Sequence, residues 1–158
     1  MKKAVLIVLA LLAVFAVSAK DLAAQTDISW NWGIITGQDF KFSPFLWTTG
    51  VIFDLYLSPH LSLSPDVFAT VHNFDFSAFY LSPSVLLNYQ GNGFFIGGGI
   101  TKYWILGSEV SGAPSSDFMF KANVGFRGND IKLTLFAVTP FNAFFKSEFF
   151  GVMFGFYF

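Results

Sequence analysis

From Phe118 to Arg127 every second residue is apolar (Phe118, Phe120, Ala122, Val124, Phe126), while the intervening Met119, Lys121, Asn123, Gly125 and Arg127 are mostly polar or small. A period of two puts alternate side chains on opposite faces of an extended chain, so this stretch predicts a strand with one apolar and one polar face. Residues 61–71 repeat the pattern, with Leu61, Leu63, Pro65, Val67, Ala69 and Val71 against Ser62, Ser64, Asp66, Phe68 and Thr70. Residues 131–138 do so again, and the same dyad runs less cleanly through 28–36, 45–57, 78–89, 94–105 and 147–158. The pattern predicts eight strands of about ten residues, the length that crosses a bilayer as a tilted strand.

The predicted connections, 37–44, 58–60, 72–77, 90–93, 106–116, 128–130 and 139–146, alternate long and short. The short ones carry turn chemistry: Ser58-Pro59-His60, Gln90-Gly91-Asn92-Gly93 and Gly128-Asn129-Asp130. An up-and-down meander with tight turns at one end and long loops at the other is the layout of transmembrane barrels. A soluble barrel buries its apolar face instead, and volume decides between the two. The interior of an eight-stranded barrel is only wide enough for side chains, so the small polar face fits inside and the face rich in Phe, Leu, Ile and Val belongs outside. Composition agrees, because 20% of the 158 residues are aromatic and only 12% are charged. Trp30, Trp32, Tyr89, Phe94 and Phe126 fall towards the short turns, and Trp47, Trp104 and Phe118 towards the long loops. Those placements predict two interfacial girdles in contact with membrane lipids.

The chain is too apolar for disorder, and its net charge of −1 provides no basic face for nucleic acid. It has no Cys, hence no disulfide, thiolate metal site or Cys nucleophile. Met1-Lys2-Lys3, an apolar run of 14 residues from Ala4 to Val17, and Val17-Ser18-Ala19 form the pattern of a secretory signal peptide. Cleavage is expected after Ala19 or as late as Ala24, which assigns residues 20–158 to the barrel and places it beyond the inner membrane.

At the C-terminal end Phe150, Val152, Phe154, Phe156 and Phe158 occupy every second position. This resembles the closing strand of bacterial outer-membrane barrels, and together with the meander and the signal peptide the whole chain resembles the small OmpA/OmpX-type barrels. The Gly-rich segment 93–104 is similar to central strands of that group. The resemblance implies an outer-membrane location and recognition by the barrel-assembly machinery through the last strand. Two features depart from a regular ladder. Pro65 and Pro83 fall within strands of a sheet that has no free edge, which predicts bulges or local ladder breaks. Lys102 falls on the lipid face beside Trp104, where its ammonium is expected to snorkel outward.

Taking the polar face as the lumen places Asp54, Asp66, Lys121, Arg127 and Lys132 inside, with Asp66 and Lys121 at similar depth and the other three nearer the short turns. Opposite charges in a narrow, partly dry tube are expected to pair into a network with Asn31, Asn88, Asn123 and the lumen serines, plugging the barrel. Phe68, Phe95, Phe136 and Phe149 also face inward. His72, Asp75 and Ser77 are expected together in the second outer loop, and His60 in a turn at the other end. A nucleophile needs a base within hydrogen-bond reach and an orienting group behind it, and three residues on one solvated loop do not make such a set. The sequence holds no phosphate loop, metal-spaced His/Glu set or dinucleotide fingerprint, and nothing in it requires a cofactor. The flexible composition of Leu106–Ser116 is that of an exposed loop for an unidentified extracellular partner. The expected function is a non-enzymatic outer-membrane barrel with a structural or surface-interaction role. The alternatives are a narrow pore or carrier for small solutes, apolar ones included, and, behind it, a lipid-modifying enzyme.

Overall fold

The alternating segments form antiparallel strands, each hydrogen-bonded to its sequence neighbours. The computed structural model describes residues 26–37, 46–107, 114–143 and 149–158; the proposed signal peptide lies outside them. In chain order the strands are β1 (Thr26–Gly37), β2 (Leu46–Ser58), β3 (Leu61–His72), β4 (Asp75–Gly91), β5 (Phe94–Thr101), β6 (Trp104–Gly107), β7 (Met119–Arg127), β8 (Ile131–Pro140) and β9 (Phe149–Tyr157). β5 and β6 pair with β4 in one continuing register, Ser84 opposite Thr101 and Leu81 opposite Trp104. They are two parts of one stave, so the described residues make eight staves. β1 pairs with both β2 and β9, and β3 with β4, which closes the sheet into a barrel. Closure gives every stave a hydrogen-bonded neighbour on both sides, the condition for β-structure in hydrocarbon.

The dyad settles which face is inside. Along β3, Ser62, Ser64, Asp66, Phe68 and Thr70 are buried, whereas Leu61, Leu63, Pro65 and Ala69 are half-buried and Val67 is exposed. Leu87, Ile96, Val124, Leu133, Leu135 and Val152 are likewise exposed on other staves, while Ser29 and Asn31 are fully buried. A wall with apolar side chains outward and polar ones inward is stable only in an apolar medium. The lumen still contains one apolar layer, formed by Ile35, Ile52, Phe68, Met119, Phe136, Val138 and Met153.

Both prolines break the ladder on one side without shifting the register. The β2–β3 pairing runs from Ile52–Asp66 directly to Leu55–Leu63, with no partner across from Pro65. On β4, Pro83 faces the interruption at Lys102–Tyr103 that separates β5 from β6, and its carbonyl still accepts the Lys102 N–H at 3.3 Å. The β3–β4 ladder passes through both positions intact, Pro65 opposite Val85 and Val67 opposite Pro83. Each proline therefore directs its missing N–H to the neighbour where the ladder is already open.

The second outer connection differs from expectation. In place of a loop over 72–77, Asn73-Phe74 form a two-residue turn with φ of 46° and 60°, and the strands continue almost to it. The extra residues of β4 are taken up as a bulge, because the register jumps from Val71–Phe79 to His72–Asp75. At the opposite end Asn92-Gly93 make a comparable turn, φ 52° and 81°. Two positive φ values in succession match the twist of a hairpin.

Candidate functional site: the lumen and its outward vestibule

Five strands contribute charge to the lumen, arranged in three tiers. In the tier closest to the short turns, the Arg127 guanidinium donates to Asp27. The Tyr56 hydroxyl donates to the same carboxylate at 3.0 Å, and the guanidinium lies 5.0 Å from the Tyr56 ring and 4.8 Å from the Tyr157 ring. In the second tier, Lys132 Nζ donates to Asp54 Oδ2 at 2.6 Å. Asp54 Oδ1 accepts from Ser64 Oγ at 2.6 Å, and Ser64 accepts from Asn88 Nδ2 at 2.7 Å. In the third tier, Lys121 Nζ donates to Asp66 Oδ2 at 2.7 Å and to Ser84 Oγ at 3.0 Å. The Lys121 ammonium also lies 5.1 Å from the Phe68 ring and 5.6 Å from the Phe136 ring.

Burial separates the tiers energetically. The side chains of the Lys121–Asp66 and Lys132–Asp54 pairs are at most 6% exposed, whereas Arg127 and Asp27 retain 26% and 40%. Removing one partner of a buried pair leaves an uncompensated charge and costs about 3–5 kcal/mol, while an exposed pair contributes about 0–1 kcal/mol. Between the lower tiers, the space among Asp54, Asn88, Arg127 and Lys132 is about 10 Å³, close to the minimum that holds one water.

Towards the outer end the lumen opens. Above the apolar layer lies a vestibule of about 490 Å³, whose lining includes Ile35, Leu46, Tyr103, Ile105, Met119 and Phe149. The third outer connection returns along one side of it: Ile105 N–H donates to the Pro114 carbonyl and Ser116 N–H to the Tyr103 carbonyl, each at 2.9 Å. His72, Tyr80 and Ser115 bring polar groups to the same space.

All five charged residues assigned to the lumen from the sequence lie inside, but as separate pairs and not as one network. The partner of Arg127 is Asp27, which lies just ahead of the predicted first strand. Two signals pointed to it: extending the dyad backward puts Asp27 in phase with Ser29 and Asn31, and three lumen cations faced only two carboxylates. Phe68, Phe95 and Phe136 are buried as expected, and Phe149 packs on the apolar layer. His72, Asp75 and Ser77 are not on one loop. Asp75 Oδ1 instead accepts the Ser77 backbone N–H at 2.9 Å. His60 sits in a turn with Nδ1 3.2 Å from the Gln90 carbonyl. Among the described residues no group of His, Asp and Glu is arranged to hold a metal ion.

On the outer wall Trp30, Trp32 and Tyr89 are exposed, and Trp47 and Trp104 are half-buried. Trp32 and Trp47 were assigned to opposite girdles, yet their rings are 6.1 Å apart, so these two do not belong to separate belts. Lys102 extends along this wall with its ammonium 5.8 Å from Trp104 and 5.2 Å from Phe118. Phe150, Val152, Phe154 and Phe156 share the outward phase of β9, and Phe158, beyond its end, donates its N–H to the Ile28 carbonyl at 3.1 Å.

No family model and no curated relative matches the chain. Among solved structures it is similar to a de novo designed transmembrane β-barrel, with TM-score 0.55, 13% identity, and coverage of 84% of this chain and 93% of that one. It is similar to the designed barrel TMB2.3 solved by solution NMR, with TM-score 0.54, 12% identity and coverage of 84% and 92%. It is also similar to the N-terminal β-barrel domain of Pseudomonas aeruginosa OprF, with TM-score 0.50, 14% identity and coverage of 85% and 98%. At these identities the likeness is one of fold. The chain therefore has the fold of the small eight-stranded transmembrane barrels, the OmpA/OmpX-type architecture that its sequence resembles.

Proposed function

We propose that this protein is a bacterial outer-membrane barrel, exported by its N-terminal signal, whose lumen is closed and whose role is structural or surface-interactive. The observation that carries the reading is the pair of buried salt bridges, Lys121–Asp66 and Lys132–Asp54, that cross the lumen. An ion passing through would have to displace both pairs, leaving buried charges uncompensated as it does so. The partners of the wall are membrane lipids, and the outer connections meet the unidentified extracellular partner. The reading is non-enzymatic. Purified protein in a planar bilayer is expected to give no stable single-channel current, and steady open-channel currents would overturn the closed-lumen reading. Recognition of β9 by the assembly machinery has its own test: Phe158→Asp is expected to lower barrel yield in cells, and unchanged yield would remove that partner.

A second reading, a carrier for small apolar solutes, is favoured by the vestibule alone. Its apolar walls admit such a solute from outside, but onward passage requires the Lys121–Asp66 tier to open.

A further inference from the structure

We propose that the outward vestibule is a closed-ended binding site for one straight-chain fatty acid, held tail inward with its carboxyl group at the mouth. The proposal rests on the closed-lumen reading, because it takes the site to end at the apolar layer. Three observations lead to it. Elsewhere the lumen is lined by hydrogen-bonding side chains such as Ser29, Asn31, Ser62, Ser64 and Thr134, so the largely apolar walls of the vestibule are a local reversal of the pattern. Burying an alkyl chain against apolar walls is favourable, and a volume of about 490 Å³ lies within the ~300–1,000 Å³ typical of small-molecule sites.

The floor fixes the orientation. Met119 lines the cavity and packs with Phe68 and Phe136 in the apolar layer, and the Lys121 ammonium beside those two rings already has its partners in Asp66, Ser84 and the rings themselves. A charged group sent downward would find no free counter-charge among these residues, whereas an alkyl chain meets Phe and the adaptable thioethers of Met119 and Met153. The mouth fixes the head group. His72, Tyr80 and Ser115 supply an imidazole and hydroxyls that donate to an oxygen anion, and no Asp or Glu stands among the described lining residues to repel it. A molecule with a long apolar body and one small acidic end satisfies both.

The test is photo-crosslinking of the full chain in phosphatidylcholine nanodiscs with dodecanoic acid carrying a diazirine at the end of the alkyl chain. Saturable labelling is expected on inward residues, chiefly Met119, Phe136 or Met153. Excess unlabelled dodecanoic acid should reduce it at least tenfold while leaving bilayer labelling of outward Ile100 and Val124 unchanged. Ile105→Trp, which fills the vestibule from its wall, should reduce inward labelling to a similar degree, with heat-modifiable gel mobility reporting that the barrel has folded. Competition and the map of labelled residues decide the question on the unmodified protein alone if that variant does not fold. Labelling confined to outward residues, or inward labelling that unlabelled acid does not compete, would overturn the site, including the case in which the chain's own outer connections fill the space. Bilayer recordings separate this from the parent reading: channel currents with competed inward labelling would overturn the closed end but leave the site, and silence with no inward labelling would do the reverse.

Discussion

Phe136 faces Gly151 directly across the β8–β9 ladder, and its ring occupies the space a side chain on Gly151 would take: a Cβ there would come within 2.2 Å of ring atoms. The same pairing recurs around the lumen, with Phe95 opposite Gly125, Phe68 opposite Gly50, and Asn31 opposite Gly155. A narrow barrel cannot hold two large side chains on facing positions, so each inward Phe or Asn in these pairs lies over an inward glycine. Gly151→Ala is expected to destabilise by about 1–3 kcal/mol through overpacking. Gly151→Ala combined with Phe136→Leu should lose less than the two single effects added together, since both act on one contact. Urea unfolding of protein refolded into vesicles measures both, and strict additivity would show that the ring does not fill that space.

The face each residue takes was legible in the sequence, and much of the rest was not, for reasons that lie in particular residues. Period two fixes inside or outside, so Asp54, Asp66, Lys121 and Lys132 were placed correctly on the phase of their neighbours. Height along the barrel depends on strand tilt and stagger, which a dyad does not encode, and this is why Trp32 and Trp47 were separated when their rings adjoin. The Asn73-Phe74 turn is not legible in the sequence, because two successive positive φ values are expected of glycine or asparagine, not phenylalanine. The vestibule was out of reach for a different reason: Ile35, Leu46, Ile105 and Phe149 are remote in sequence and meet only once the barrel closes.

Phe74 is held in the left-handed region at φ 60°, its ring 5.2 Å from that of Trp47. For a residue with a Cβ this conformation costs about 1–2 kcal/mol, offset in part by the aromatic contact, worth about 0.5–1.5 kcal/mol. Phe74→Ala removes the contact and keeps the strain, whereas Phe74→Gly removes both. The Gly variant is therefore expected to be more stable than the Ala variant by about 1 kcal/mol. Equal midpoints for the two would mean that the turn relaxes when the ring is lost.

Val124 is exposed and outward while Asn123, one residue earlier, is buried in the lumen. Arginine at Val124 should cost about 2–4 kcal/mol if the position lies near the bilayer midplane. Asn123→Ser removes no charge and leaves a smaller polar group, so its effect should be well below that of Val124→Arg. A reversed ranking in vesicle-refolded protein would exchange the inner and outer faces.

The three ion pairs provide the sharpest separation between a closed barrel and a wetted path. In a closed lumen the cost of neutralising an acid follows burial, so Asp66→Asn and Asp54→Asn should each lower stability by about 3–5 kcal/mol, and Asp27→Asn, whose pair is partly exposed, by no more than about 1 kcal/mol. Asp66→Asn leaves the Lys121 ammonium without a carboxylate, with only neutral acceptors and two ring faces around it. Removing that stranded charge with Lys121→Met should restore part of the loss, giving a coupling of about 0.5–3 kcal/mol. A water-filled lumen predicts another outcome: screening would bring all three acids to the same small value, the double mutant would be additive, and Asp66→Asn would act on current or ion selectivity instead. Unfolding midpoints ranked by burial, with a non-additive Asp66/Lys121 cycle and silent bilayers, are expected; equal and additive effects accompanied by channel currents would replace the plug with a pore.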